Sequence, residues 1–430
     1  MGNLFISGDI GVGKSYLLRN ILEELDVSLG GFVTGKGQDV SGHWVYLMSL
    51  NDCVSSTQVA YVKNGENIYQ GQVFNDRFDA FGTLVIREAI DQRQLIVMDE
   101  IGVMERQAET FKKCILEALD SEKPVIGIVK NRKDSFLERV KAREDTKVLF
   151  LTDTNAVEVK ETAKRWLKDQ EINFKGRQAH VWRQKRIDMY ERALSYPGTT
   201  YPGVLLETIL SQTANLGDKK WLDLGAGTGA FSLPLANRSA SVDCLDASFN
   251  MLMNLSRKVH ERKMTNIRGF SVPFPEFART CKKKSYDYVL SSFSGGALKD
   301  KENLMRFVDL AMEKAFIMSA PKKRFHNFNG QDLEQRLNRP VKAFKSNAQQ
   351  MQDYLTEEGC VFDYEELTFQ FPQVFNTYEE CFAFFKGSFQ IEKQEEKVLK
   401  EFILENLREE ERFYIFDNQR TAGLLTVHLK

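Results

Sequence analysis

Two short glycine-rich stretches of this chain have the residue types and spacing to hold nucleotide-like ligands. The first is GDIGVGKS, residues 8–15, set between the apolar run NLFIS and a helical pattern, YLLRNILEEL. Gly8, Gly11 and Gly13 let the backbone curl, so that loop N–H groups, those of Asp9, Ile10 and Val12 among them, face phosphate oxygens. Lys14 then reaches the β- and γ-phosphates, and the Ser15 hydroxyl ligates Mg²⁺ at the positive end of a helix whose first turn includes Tyr16. Such a loop also needs an acid on the metal side, at the end of a neighbouring strand. QLIVMDE, residues 94–100, supplies a buried-strand pattern ending in Asp99 and Glu100. Asp99 is expected to hold Mg²⁺ through water and Glu100 to polarise the water that attacks the γ-phosphate. Lys14 and Glu100 are therefore the expected catalytic residues of a triphosphate hydrolysis.

The second stretch is WLDLGAGTGA, residues 221–230, followed by SVDCLD, which ends in Asp246. A dinucleotide-binding turn has its third glycine three residues after the second, GxGxxG. Here Gly225, Gly227 and Gly229 are two apart, behind Asp223. The spacing departs from the dinucleotide fingerprint. Asp246 is also placed to cap the next helix, a role compatible with ligand binding.

Four segments together, GDIGVGKS, GGFVTGK (30–36), LIVMDEIGVME (95–105) and SEKPVIGIVKNR (121–132), resemble the broad-specificity nucleoside-triphosphatase family first described from thermophiles. The resemblance covers about the first 170 residues. It implies slow Mg²⁺-dependent hydrolysis of ATP, GTP or other nucleoside triphosphates, with Lys14, Ser15, Asp99 and Glu100 matching the family's phosphate and metal motifs. The family often carries a His-Arg pair after the strand at 124–129. This chain has Lys130-Asn131-Arg132, which leaves Arg132 as the phosphate-contact candidate.

The second stretch resembles motif I of class I S-adenosylmethionine-dependent methyltransferases, and Asp246-Ala-Ser-Phe-Asn-Met-Leu resembles their DxSxxML segment. That likeness implies that Asp246 accepts hydrogen bonds from both ribose hydroxyls, with Ala247, Ser248 and Met251 in the same segment. It also implies that Gly225, Ala226, Gly227 and Gly229 give the cofactor room against the backbone, and that the Asp223 region faces its amino-acid end. SYDYVLSSFSGGAL (285–298) and AFIMSAP (315–321) resemble the fourth and fifth strands of that fold. Near the third strand only Ser271 and Glu276 offer polar groups to an adenine, so its contacts stay unassigned. The Asn/Asp-Pro-Pro-Tyr motif of amino-group methylation and the Pro-Cys pair of cytosine-C5 enzymes are both absent. A small molecule is the expected acceptor.

These residues need a scaffold of strands that end where the ligands sit. Over 1–170 the pattern alternates strands with helices, among them helices at 78–92 and 105–121, so a mainly parallel P-loop sheet is expected. Residues 171–215 read as a helical lead-in and 216–430 as a Rossmann-like methyltransferase sheet, an α/β chain of two domains. Within 175–203, basic residues with Trp182 and Tyr190 suggest an amphipathic helix, and RNA binding is the less favoured reading. GLLTVHLK reads as the closing strand of an antiparallel hairpin, and 392–413 as one amphipathic helix.

Bulk properties exclude several classes. A chain of 430 residues with 42% apolar and 28% charged residues exceeds one hydrophobic core, and its net charge of −1 is not that of a dedicated nucleic-acid binder. The first 169 residues are mildly acidic and the rest mildly basic. Six cysteines without CxxC spacing read as reduced thiols, lysine clusters at 282–284 and 322–324 as solvated surface, and His326 as structural. With no signal-like start and no long apolar run, the expectation is a cytoplasmic protein without a membrane span. Two hypotheses follow: a bifunctional triphosphatase–methyltransferase, or a nucleotide-gated regulator whose second half binds S-adenosylmethionine or a related ligand without turnover.

Overall fold

In the computed structural model, residues 2–429 are described apart from 39, 53–54, 67–69, 176–183, 295, 322–327 and 342–347. Trp182, His326 and the 322–324 cluster lie outside the described residues. Close packing divides the chain into two compact units, residues 1–183 with 245–273 and residues 184–244 with 274–430.

The first sheet has eight strands: β1 (Asn3–Gly8), β2 (Leu29–Gln38), β3 (Gly42–Ser49), β4 (Ser56–Lys63), β5 (Gln72–Val73), β6 (Leu95–Ile101), β7 (Val125–Val129) and β8 (Thr146–Leu151), in the order β5-β4-β3-β2-β6-β7-β1-β8. Strands β2, β6, β7, β1 and β8 run parallel. Both faces of this parallel part are buried. Phe5, Ile96, Met98 and Val125 point into one core with Phe32 and Phe111; Leu4, Ile6, Val97, Ile126 and Ile128 point into another with Leu18 and Ile21. Side chains alternate across each strand, so a continuous apolar run fills two cores at once.

Strands β3, β4 and β5 add an antiparallel edge that the sequence reading did not separate out. Short connections there permit hairpins, whereas parallel pairing requires a crossover. The helix expected over 78–92 contains a π-turn at Phe78–Gly82 before Thr83–Gln92. The one expected over 105–121 begins with a 3-10 turn, Met104–Gln107, before Glu109–Leu119. Glu105 forces this break, since its carboxylate turns back to accept from Gly102 N–H.

The second sheet is built from β9 (Lys220–Leu224), β10 (Ser241–Leu245), β11 (Ile267–Phe270), β12 (Tyr286–Ser292), β13 (Ala311–Ser319), β14 (Val361–Gln370) and β18 (Gln419–His428), in the order β11-β10-β9-β12-β13-β18-β14. β18 runs antiparallel to both β13 and β14. It is therefore a closing strand as expected, but its partner β14 is not its neighbour in sequence.

The second unit also contains a small antiparallel sheet of β15 (Gln373–Phe375), β16 (Leu407–Glu410) and β17 (Phe413–Phe416). Its strand β16 ends the helix expected over 392–413, which is a 3-10 turn and then Glu396–Asn406 only. Ile415 and Phe416 are fully buried, and β17 needs a ladder partner there. The strand ladder overrides the local helical preference of LREE. Helix Gln184–Ser195 is amphipathic as read, burying Ile187, Met189 and Ala193. No helix among the described residues is long and apolar enough to cross a membrane.

Candidate active sites

The first glycine loop joins the end of β1 to helix Lys14–Leu22. Gly13 caps that helix with φ 91°, a left-handed conformation that side chains strain to adopt. Lys14 is buried, and its Nζ donates to the carbonyls of Gly8 at 3.0 Å and Asp9 at 2.7 Å. The ammonium is thus pinned over the loop rather than free in solvent. Ser15 Oγ donates to Asp99 Oδ1 at 3.0 Å. Sequence positions 84 residues apart meet here because β6 delivers its last residues beside the loop.

Asp99 is 1% exposed, and its second oxygen, Oδ2, is buried with no hydrogen-bond partner among the described residues. Burial pushes its carboxyl up to about 6, against the opposing pull of Arg19, Ser15 and Lys14. An orphaned buried carboxylate oxygen is costly unless something binds it. A serine hydroxyl beside that oxygen is a hard donor pair of the kind Mg²⁺ prefers, so the residues fit the ion.

Glu100 pairs with Lys130 at 2.8 Å. Lys130 is the cation that the fold pairs with Glu100. Arg132 stays exposed, and among the described residues no ion pair holds its guanidinium. Glu105 is buried nearby; burial pushes its carboxyl up to about 7, opposed by backbone N–H groups and by Lys130. Neither Lys130 nor Glu105 was singled out by spacing, although both lie inside the segments that carry the family resemblance.

A cavity of about 360 Å³ opens beside the loop, lined by Asp9, Ile10, Gly11 and Val12 on one side and by Phe150, Leu151, Thr152 and Asp153 on the other. Its far wall is the exit of β8, which reading the motif alone could not locate. Tyr16 is exposed close by in sequence, and no described hydrogen bond fixes its hydroxyl.

The second glycine loop leaves β9 in the second unit. Asp223 is buried and accepts from Ser232 Oγ at 2.5 Å. Gly225 has φ 79°, and a Cβ there would overlap Ser294 Oγ, so only glycine fits. Gly227 and Gly229 also have positive φ, and Ala226, between Gly225 and Gly227, is buried. Thr228 Oγ1 donates to Glu191 from helix Gln184–Ser195. The tight loop pressed against the segment after β12 is the kind of close backbone approach that a nucleoside cofactor exploits.

In the first unit, Asp246 Oδ1 accepts from Ser248 N–H at 2.7 Å, and Ser248 Oγ accepts from Met251 N–H at 3.2 Å. Ser248, not Asp246, is therefore the N-cap of helix Phe249–Glu261. Asp246 shapes the turn ahead of the helix, with Ala247 exposed beside it.

Residues 3–163 match the model of an NTPase family, and residues 222–312 match that of a methyltransferase domain. The nucleoside-triphosphatase THEP1 of Methanocaldococcus jannaschii is 32% identical over 128 residues, which span 29% of this chain and 75% of that protein. THEP1 of Thermotoga petrophila is 30% identical over 156 residues, 35% of this chain and 85% of that one. A solved magnesium protoporphyrin IX methyltransferase from Synechocystis is 14% identical, with a TM-score of 0.32 over 62% of this chain and 94% of its own. The chain is thus a P-loop nucleoside-triphosphatase unit fused to a methyltransferase domain, with both enzymatic activities supported at family level. Through its first 163 residues it belongs to the THEP1 nucleoside-triphosphatase family.

Proposed function

We propose a bifunctional enzyme: a Mg²⁺-dependent nucleoside triphosphatase, giving the diphosphate and phosphate, and an S-adenosylmethionine-dependent methyltransferase for a small molecule. The observation that carries the first half is Asp99, with one oxygen on Ser15 Oγ and the other buried without a partner. Mg²⁺ when bound supplies positive charge against the phosphates. Ser15 and Asp99 would hold it, Lys14 would neutralise charge between the β- and γ-phosphates, and the loop N–H groups would orient them. Glu100, steadied by Lys130, would take a proton from the attacking water. A Lys14→Ala variant is expected to lose about 100-fold in ATP hydrolysis with Mg²⁺. Hydrolysis at the wild-type rate would refute the assignment.

For the second half, S-adenosylmethionine supplies an already activated methyl group, so the chain's task is chiefly positioning. Asp246 would hold the ribose, and the Gly225–Gly229 loop would leave room for the adenosine and methionine parts. The Asp223 region would face the amino-acid end.

A contact network within the first unit favours a second reading, nucleotide gating. Glu23, just past the end of the P-loop helix, accepts from Asn250 N–H at 3.1 Å. Lys175 Nζ bonds both the Glu23 and the Ala247 carbonyls at 2.8 Å. The residues flanking Asp246 are thereby tied to the far end of the helix that starts at Lys14.

A further inference from the structure

Arg420 is the second residue of β18, opposite Phe369 of β14. Its guanidinium carbon lies 5.5 Å from the Phe293 ring centre and 5.8 Å from that of Phe371. Its Nε is buried and makes no hydrogen bond among the described residues. Burial draws the guanidinium below its ordinary range, opposed by Tyr201 and Tyr190; among the described residues no carboxylate pairs with it. Other arginines of the same unit are matched with acids: Arg192 with Glu380, Arg336 with Glu405, Arg339 with Glu395 and Arg408 with Asp417. A half-buried guanidinium whose Nε is buried and unbonded, and which meets no acid among the described residues, gains from a ligand that supplies one.

The surroundings say what kind of ligand. The Tyr201 ring packs against Phe369 at 5.2 Å, Phe371 at 5.1 Å, Phe231 at 5.7 Å and Phe293 at 6.3 Å. Its hydroxyl lies 3.4 Å from Ser292 Oγ and is also joined to Tyr190. Ser292 ends β12, the strand beside β9, and Ser294 just beyond it is the group pressed on Gly225. This aromatic box with one cation therefore adjoins the glycine loop, on the side of β12 and β18.

We propose that the box is the methyl-acceptor site and that Arg420 receives a carboxylate carried by an apolar or aromatic acceptor. The proposal rests on reading the second domain as an S-adenosylmethionine-dependent methyltransferase. A planar guanidinium matches the two oxygens of a carboxylate, and the tyrosine hydroxyls can donate to the same group. The phenylalanine rings bury whatever apolar body the carboxylate is attached to.

The test is calorimetric titration of the full chain, saturated with S-adenosylhomocysteine, with benzoate, its uncharged isostere benzamide, and phenyl phosphate. Benzoate is expected to bind wild type about tenfold more tightly than benzamide. In Arg420→Met that preference disappears while S-adenosylhomocysteine affinity stays within about threefold, and Arg420→Lys retains part of it. Equal binding of benzoate and benzamide to wild type, a comparison that needs no variant, would overturn the proposal. A preference for phenyl phosphate over benzoate would overturn the carboxylate assignment. Loss of S-adenosylhomocysteine binding in Arg420→Met, with the benzoate preference intact, would assign Arg420 to the cofactor instead. If wild type binds no S-adenosylhomocysteine at all, the underlying methyltransferase reading fails, and the benzoate–benzamide comparison on the chain alone still reports on Arg420.

Discussion

Glu105 is a buried carboxyl whose titration has a measurable consequence. In the fold it titrates at about 7, against 4.5 for an ordinary glutamate, with burial as the main cause. The folded chain therefore holds a proton that the unfolded chain has already released. Stability from that proton is fully present below about pH 4 and is lost as pH rises through about 7, a span of roughly 3 kcal/mol. Glu105→Gln keeps an oxygen for Gly102 N–H and never ionises. Its urea-unfolding stability is expected to match wild type near pH 5 and to exceed it by about 2 kcal/mol near pH 8. Parallel stability profiles for the two proteins across that range would contradict the burial argument. Lys14, Ser15 and Asp99 were legible from sequence because each belongs to a contiguous motif whose chemistry fixes its neighbours. Lys130, Glu105 and Arg420 were not, because what makes them notable is the surroundings the fold gives them: an ion pair with Glu100, burial, and a set of aromatic rings.

Strands and helices were legible wherever local pattern and tertiary demand agreed. β1, β6, β7 and the P-loop helix match their expected positions closely, since a run buried on both faces carries a strong apolar signal. The 392–413 segment was misread because β17 needs a partner strand, and a ladder formed in space leaves no mark on helical periodicity. The Gly225 loop gives an element-level prediction. Gly225→Ala forces a side chain into φ 79° and against Ser294 Oγ. It is expected to weaken S-adenosylhomocysteine binding about tenfold or more, through about 1–2 kcal/mol of backbone strain plus displacement of the segment after β12. ATP hydrolysis by the same variant should be unchanged. Wild-type cofactor affinity in Gly225→Ala would show that the loop does not shape the cofactor site.

Two catalytic units in one polypeptide either work independently or share free energy. Titration of S-adenosylhomocysteine with and without ATP and Mg²⁺ separates these cases. Independent units leave its affinity unchanged, whereas gating through Glu23, Lys175 and Asn250 shifts it by about fivefold or more, with an equal reciprocal effect on ATP. An unchanged affinity would remove the gated reading. The order of the residues along the chain already dictated two α/β units and two glycine loops, because phosphate and nucleoside cradles require particular residue types at fixed short spacings. Which charges lack an acid partner among the described residues, and which aromatic rings between 190 and 371 surround one of them, depended on the folded chain, because burial and charge pairing are set by neighbours far away in the chain.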